Sequence, residues 1–196
     1  MGSEAPLTLG FDTSAAHCAA ALLRGSEVAE VTAEDMARGQ AERLMPMIEA
    51  MLARARASWR DLDRLGVGVG PGNFTGIRIA VAAARGLALA LDIRAVGVDA
   101  FSAISAGHDA PHLPVLPAPR GMFYARPPGA PPALMTPDAA AASGLPLADA
   151  LTPADLAMAI ARIAAAAPAD GPPPAPLYIR PADAAPAREA PPAILD

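Results

Sequence analysis

The nine residues Gly70-Pro71-Gly72-Asn73-Phe74-Thr75-Gly76-Ile77-Arg78 stand between a short apolar run, Leu65 to Val69, and a long, almost uncharged one from Thr75 to about Leu91. The first run has the length of a buried strand, and the second makes a helix of roughly 25 Å. A strand-to-helix junction of this kind is where α/β proteins place function. Glycines at 70, 72 and 76 permit close backbone approach, Pro71 stiffens the turn, and Thr75 is placed to cap the first free N–H groups of the helix. Such a loop cradles an anion or packs against another chain.

Composition narrows that choice. All 15 basic residues are arginine, so a Walker-A phosphate clamp, a Schiff-base lysine and a kinase-type lysine are excluded. Gly70, Gly72 and Gly76 give G-x-G-x-x-x-G, one residue longer than the dinucleotide fingerprint, and the run begins about a third of the way into the chain. The net charge of −5 argues against this chain holding a polyanion alone. The single Cys18 cannot close an intrachain disulfide and reads as a small buried hydrophobe on a strand. With no basic leader, and with Arg78 and Arg85 interrupting the most apolar run, the expected setting is the cytoplasm.

Proline divides the chain. Only Pro6, Pro46 and Pro71 precede residue 111, and the other 20 of the 23 lie from Pro111 onward. Residues 1–110 read as a dense α/β domain, and 111–196 as a shortened, Pro-rich, loop-rich one, because runs such as Pro127-Pro128 and Pro172-Pro173-Pro174 do not fit inside a helix or sheet. In the first part, Leu7 to Phe11, Cys18 to Leu23 and Val28 to Thr32 are expected as three consecutive antiparallel strands, with Gly25-Ser26 as the hairpin turn. Leu44, Met47, Ile48, Met51 and Leu52 then follow helical spacing over 41–55, with Pro46 either starting the regular helix or kinking its first turn. In the second part, Pro153 to Ala166 is expected as a helix capped by Thr152 and docked on the first domain.

The long helix carries Gly76, Ala80, Ala84 and Ala88 every four residues, with Ile77 and Val81 beside them. A helix apolar nearly all round needs cover on more than one side. Either the stripe is core under the neighbouring Met-bearing helix, or it meets another subunit. The candidate contacts for a partner are Leu44, Met47 and Met51 on the first helix and Phe74, Ile77, Ala80, Val81, Ala84 and Ala88 on the second. On that reading, added bulk at Ala80 or Ala84 weakens pairing and spares the fold.

Several separated segments, in order, carry a resemblance: the strand ending Asp12-Thr13-Ser14, then Arg38-Gly39-Gln40-Ala41-Glu42-Arg43-Leu44-Met45-Pro46, Asp61-Leu62-Asp63, the glycine loop, and Ala83-Ala84-Arg85-Gly86-Leu87-Ala88. Over residues 7 to about 105 they closely resemble the TsaB (YeaZ) family, and Leu177-Tyr178-Ile179-Arg180-Pro181 is a weaker echo of its C-terminal segment. The resemblance implies the actin-like ATPase (sugar kinase and Hsp70) superfold. It also implies a non-catalytic scaffold subunit for threonylcarbamoylation of the adenosine 3′ of the anticodon in tRNAs that read codons beginning with A. The implied partners are TsaD, which does the chemistry, and TsaE, with tRNA met only through the complex and any ATP only at the partner or the shared interface. Self-pairing of the free protein through the same helices stays open.

Departures from the family pattern fall mainly in the second half. Relatives carry Asp-Ala-Arg-x-Gly-Glu-Val-Tyr where this chain has Pro117-Ala118-Pro119-Arg120-Gly121-Met122-Phe123-Tyr124, so both carboxylates are gone. Nucleotide chemistry in the superfold uses carboxylates from both domains. Asp12, Thr13 and Ser14 therefore remain as a degenerate phosphate loop or as a plain strand-ending turn bonded to its own backbone. A stand-alone phospho- or carbamoyltransferase is the alternative function. His17, His108 and His112 form no zinc or hydrolase motif, and no metal centre or catalytic residue is expected.

Overall fold

A computed structural model describes residues 5–179. Five strands and two helices form its larger layer: β1 (Leu7–Asp12), β2 (His17–Arg24), β3 (Glu27–Asp35), α1 (Gln40–Arg54), β4 (Arg64–Gly68), α2 (Phe74–Leu91) and β5 (Arg94–Val98). The sheet order is β3-β2-β1-β4-β5; β1, β2 and β3 are antiparallel in turn, while β4 runs parallel to β1 and to β5. The three expected strands and the Gly25-Ser26 turn are all present. Two successive parallel pairs after an antiparallel meander, each reached by a helical crossover, form the α/β arrangement expected of one actin-like domain.

Alternation along β1 explains how both faces of the sheet are covered. Leu7, Leu9 and Phe11 point to the side where Leu44, Met47, Ile48 and Met51 of α1 and Ile77, Ala80 and Ala84 of α2 complete the main core. Gly10 points to the other side, where α5 (Pro153–Ala166) lies so close that a Cβ on Gly10 would come within 2.6 Å of the Ala161 nitrogen. Gly66, paired with Gly10 across the β1–β4 ladder, meets α5 in the same way, 2.8 Å from Ala164 Cβ. The helix starts as expected: the Thr152 hydroxyl accepts from the Asp155 N–H, and Pro153 occupies the first turn. At its other end Arg64 donates to the Ala164 carbonyl at 2.9 Å.

Between the two layers' crossings lie α3 (Ala100–Ser105), β6 (Leu113–Ala118), β7 (Met122–Ala125), β8 (Ala133–Met135), α4 (Pro137–Ala141) and β9 (Leu147–Ala148). Their sheet, β8-β7-β6-β9, packs Leu113, Val115, Ala125 and Ala140 into a small core of its own. The second half is thus more regular than its prolines suggest. Pro114 and Pro117 both sit within β6, and Pro117 lies beyond the reach of the two-residue β9, where no neighbour asks for an N–H.

Two local expectations need correcting. Helix α2 is capped by Asn73, whose side chain accepts from the Gly76 N–H at 2.9 Å, and not by Thr75, which is already inside the helix. Helix α1 begins at Gln40 and carries Pro46 within it, so of the two alternatives for that proline the start of the helix is the one that fails.

Candidate partner-binding site

The glycine loop and the Asp12-Thr13-Ser14 turn are pressed together, which settles what their polar groups are doing. Asp12 Oδ1 accepts from the Ser14 N–H and hydroxyl, each at 2.8 Å, and lies 2.7 Å from His17 Nε2 across the hairpin. The Thr13 hydroxyl donates to the Gly76 carbonyl at 2.7 Å, and the Asn73 N–H donates to the Ser14 carbonyl at 2.6 Å. All three residues are buried. A Cβ on Gly76 would stand 1.9 Å from the Thr13 carbonyl oxygen and one on Gly72 2.2 Å from that of Ser14. The loop's glycines thus serve loop-to-loop contact, with the cofactor-binding candidates Asp12, Thr13 and Ser14 turned into the chain. The Asp12–His17 pair was missed in the sequence, although His17 opens β2 one short turn after Asp12.

The candidate contact residues divide sharply by position. Leu44, Met47, Met51, Ile77, Ala80, Val81 and Ala84 are buried within this chain, and only Phe74 and the half-buried Ala88 reach the surface. The stripe Gly76, Ala80, Ala84 therefore belongs to the core, because the sheet and α1 already cover that side of α2. The outer side is the open one: Thr75, Arg78, Ala82, Arg85 and Leu89 are exposed at alternating three- and four-residue spacing. Leu89 is 87% exposed. By length and composition α2 is the one helix among the described residues that is apolar enough to cross a membrane.

The C-terminal segment completes this face. The Leu177 N–H donates to the Val69 carbonyl at 2.8 Å, laying the chain across the end of β4. Tyr178 then stands with its ring 5.0 Å from that of Phe74, and its hydroxyl accepts from Arg78 Nε at 3.1 Å. The Arg78 guanidinium lies 3.7 Å over the Phe74 ring. Arg180 and Pro181, the remainder of the weaker sequence echo, lie outside the described residues. Beside this aromatic cluster a cleft of about 490 Å³ separates the N-termini of α1 and α2, lined by Arg38, Gln40, Glu42, Asn73, Thr75 and Ile79. Gln40 is committed to the Met36 carbonyl at 3.1 Å.

Electrostatics hold the frame rather than arm it. Arg43 grips Glu34 with two hydrogen bonds and keeps that carboxyl below its ordinary range, tying α1 to β3. Burial, reinforced by Glu34, pushes the Cys18 thiol up to about 11, the opposite of what a nucleophilic thiolate requires.

Comparison with known proteins gives the family and the fold. The family model described as TsaD, tRNA N6-adenosine threonylcarbamoyltransferase, matches residues 28–126. The tRNA threonylcarbamoyladenosine biosynthesis protein TsaB of Haemophilus influenzae is 34% identical over 97 residues, 50% of this chain and 41% of that protein. The Bacillus subtilis protein of the same name is 32% identical over 119 residues, 59% of this chain and 52% of that one. The chain therefore spans about half the length of the curated relatives it matches. Among solved structures, YeaZ from Pseudomonas aeruginosa superposes with a TM-score of 0.62 at 25% identity, covering 81% of this chain and 91% of that one.

Proposed function

The chain belongs to the TsaD-type threonylcarbamoyltransferase family, in its TsaB (YeaZ) branch, and from that membership we propose that it is a non-catalytic scaffold subunit for tRNA threonylcarbamoyladenosine synthesis. It pairs with a TsaD homologue, which transfers the threonylcarbamoyl group to the adenosine 3′ of the anticodon. TsaE joins that complex, tRNA is met through it, and the setting is the cytoplasm. Residues 1–110, closed from behind by α5, form the pairing domain.

The observation that carries this reading is the outer face of α2. An apolar helix face with Leu89 almost fully in water, edged by Phe74, Tyr178 and two arginines, has the make-up of an interface core with its rim. The contact surface is accordingly this outer side rather than the buried stripe, and of the candidate contacts only Phe74 belongs to it. A stand-alone phospho- or carbamoyltransferase is less favoured, because Asp12, Thr13 and Ser14 are spent on one another, on His17 and on the glycine loop.

The test is titration with the purified TsaD homologue, followed by nucleoside analysis of tRNA from cells carrying each variant. Leu89→Glu with Phe74→Ala should cost about 2 kcal/mol or more, some thirtyfold in affinity, and deplete the modification. Asp12→Asn keeps the acceptor oxygen and should leave modification nearly intact. Wild-type pairing by the first variant would sink the interface. Complete loss of modification with Asp12→Asn, in protein that folds and pairs, would mean this chain supplies chemistry.

A further inference from the structure

A second polar site lies away from α2, where the end of α3 meets the start of β6. Ser105 Oγ is 2.8 Å from His112 Nε2, and His112 Nδ1 is 2.8 Å from the Ala110 carbonyl oxygen. A carbonyl oxygen only accepts, so Nδ1 carries the ring proton and Nε2 presents its lone pair to the Ser105 hydroxyl. That is a hydroxyl polarised by a base whose tautomer is fixed by a third group. His108 stacks on His112 with ring centroids 4.5 Å apart and is itself held by the Ile104 carbonyl at 3.0 Å.

The pair opens on a cleft of about 570 Å³, whose wall includes Ser105, His108, His112, Arg126, Pro128 and Gly129. That is within the size range of small-ligand sites. Arg126 is oriented there by Asp99 Oδ1 at 3.0 Å, donates to Ser102 Oγ at 3.3 Å and stands 4.9 Å over the Phe101 ring.

We propose that Ser105 and His112 are a nucleophile and its base, acting on small activated acyl esters in this cleft. Ser105 Oγ attacks the ester carbonyl carbon while its proton passes to His112 Nε2, leaving the negative charge on the tetrahedral oxygen. The bond to the leaving oxygen breaks, and that oxygen takes the proton from His112. Water then adds to the acyl-serine, again giving its proton to His112. Collapse releases the carboxylic acid and returns the proton to Ser105.

The experiment is reaction of the full chain with a fluorophosphonate probe, and separately with p-nitrophenyl acetate, followed by intact mass and peptide mapping. Ser105 should carry the label ahead of every other serine, and p-nitrophenolate should appear in a burst. His112→Gln, checked for folding by circular dichroism, should slow labelling about a hundredfold or more. Labelling that is absent from Ser105, or unchanged in folded His112→Gln, would overturn the proposal. Should that variant not fold, the wild-type peptide map decides alone. Pairing with TsaD is not involved, so this site stands or falls separately from the scaffold reading.

Discussion

Helices α2 and α5 lie on opposite faces of one five-stranded sheet and are made of the same alanine-rich stock, yet they are packed in opposite ways. Helix α5 rests directly on Gly10 and Gly66, so its backbone approaches the strands as closely as any side chain would. Helix α2 covers the sheet with one side only and leaves Ala82, Gly86, Leu89 and Ala90 in water. Small residues at four-residue spacing therefore mark close approach without saying to what. In α5 the matching glycines are in the strands below; for the outer side of α2 the described residues supply no matching surface.

The largest expected effect lies under α5. Gly10→Val puts a branched side chain where a Cβ already meets the Ala161 nitrogen at 2.6 Å and the Ala157 carbonyl oxygen at 2.7 Å. Backbone atoms cannot swing aside, so α5 must lift from the sheet. We expect a loss on the order of 4 kcal/mol or more, a large part of the stability of a domain this size. Urea unfolding measures it. A midpoint near that of the wild type would show that α5 is not seated on the strands.

On α2, Ala84→Leu should cost about 1–3 kcal/mol in the isolated chain, because Ala84 is fully buried against the sheet. This reverses the expectation from sequence, in which bulk at Ala80 or Ala84 spared the fold and disturbed only pairing. A thermal melt unchanged by Ala84→Leu would restore that first reading and return the stripe to the interface.

The reversal shows where the sequence stops informing. Strands β1 to β4 were legible because each apolar run matched one face or both faces of a sheet, and α5 because Thr152 and Pro153 announce its start. For α2, Leu, Ile and Ala occur on every side, so periodicity names no inner face; only the sheet beneath and α1 beside it choose one. The cap was readable in principle, since Asn73 precedes Gly76 at the spacing an N-cap needs. Pairs that depend on the third dimension were not legible. Asp12 and His17 meet across a hairpin. Ser105 meets His112 because the turn after α3 folds β6 back, and no sequence motif joins the two.

The smallest effect has the opposite sign and bears most directly on the contrast. Gly86 sits in the body of α2, and beyond its own helical turn no heavy atom of the described residues comes within 4 Å of where a Cβ would be. A glycine within a helix costs about 0.5–1 kcal/mol relative to alanine, chiefly through the freedom it retains in the unfolded chain. Gly86→Ala should therefore stabilise the isolated protein by that amount, raising its melting temperature by about 2–4 °C per kcal/mol. The gain belongs to the free chain alone. Ala82, Gly86 and Ala90 make a second row of small residues on the exposed side, and a methyl added there holds a facing helix farther off. Affinity for the TsaD homologue should then fall even as the monomer becomes more stable. Were the melting temperature to drop instead, Gly86 would already be enclosed by this chain, and the outer face of α2 would be core like the inner one.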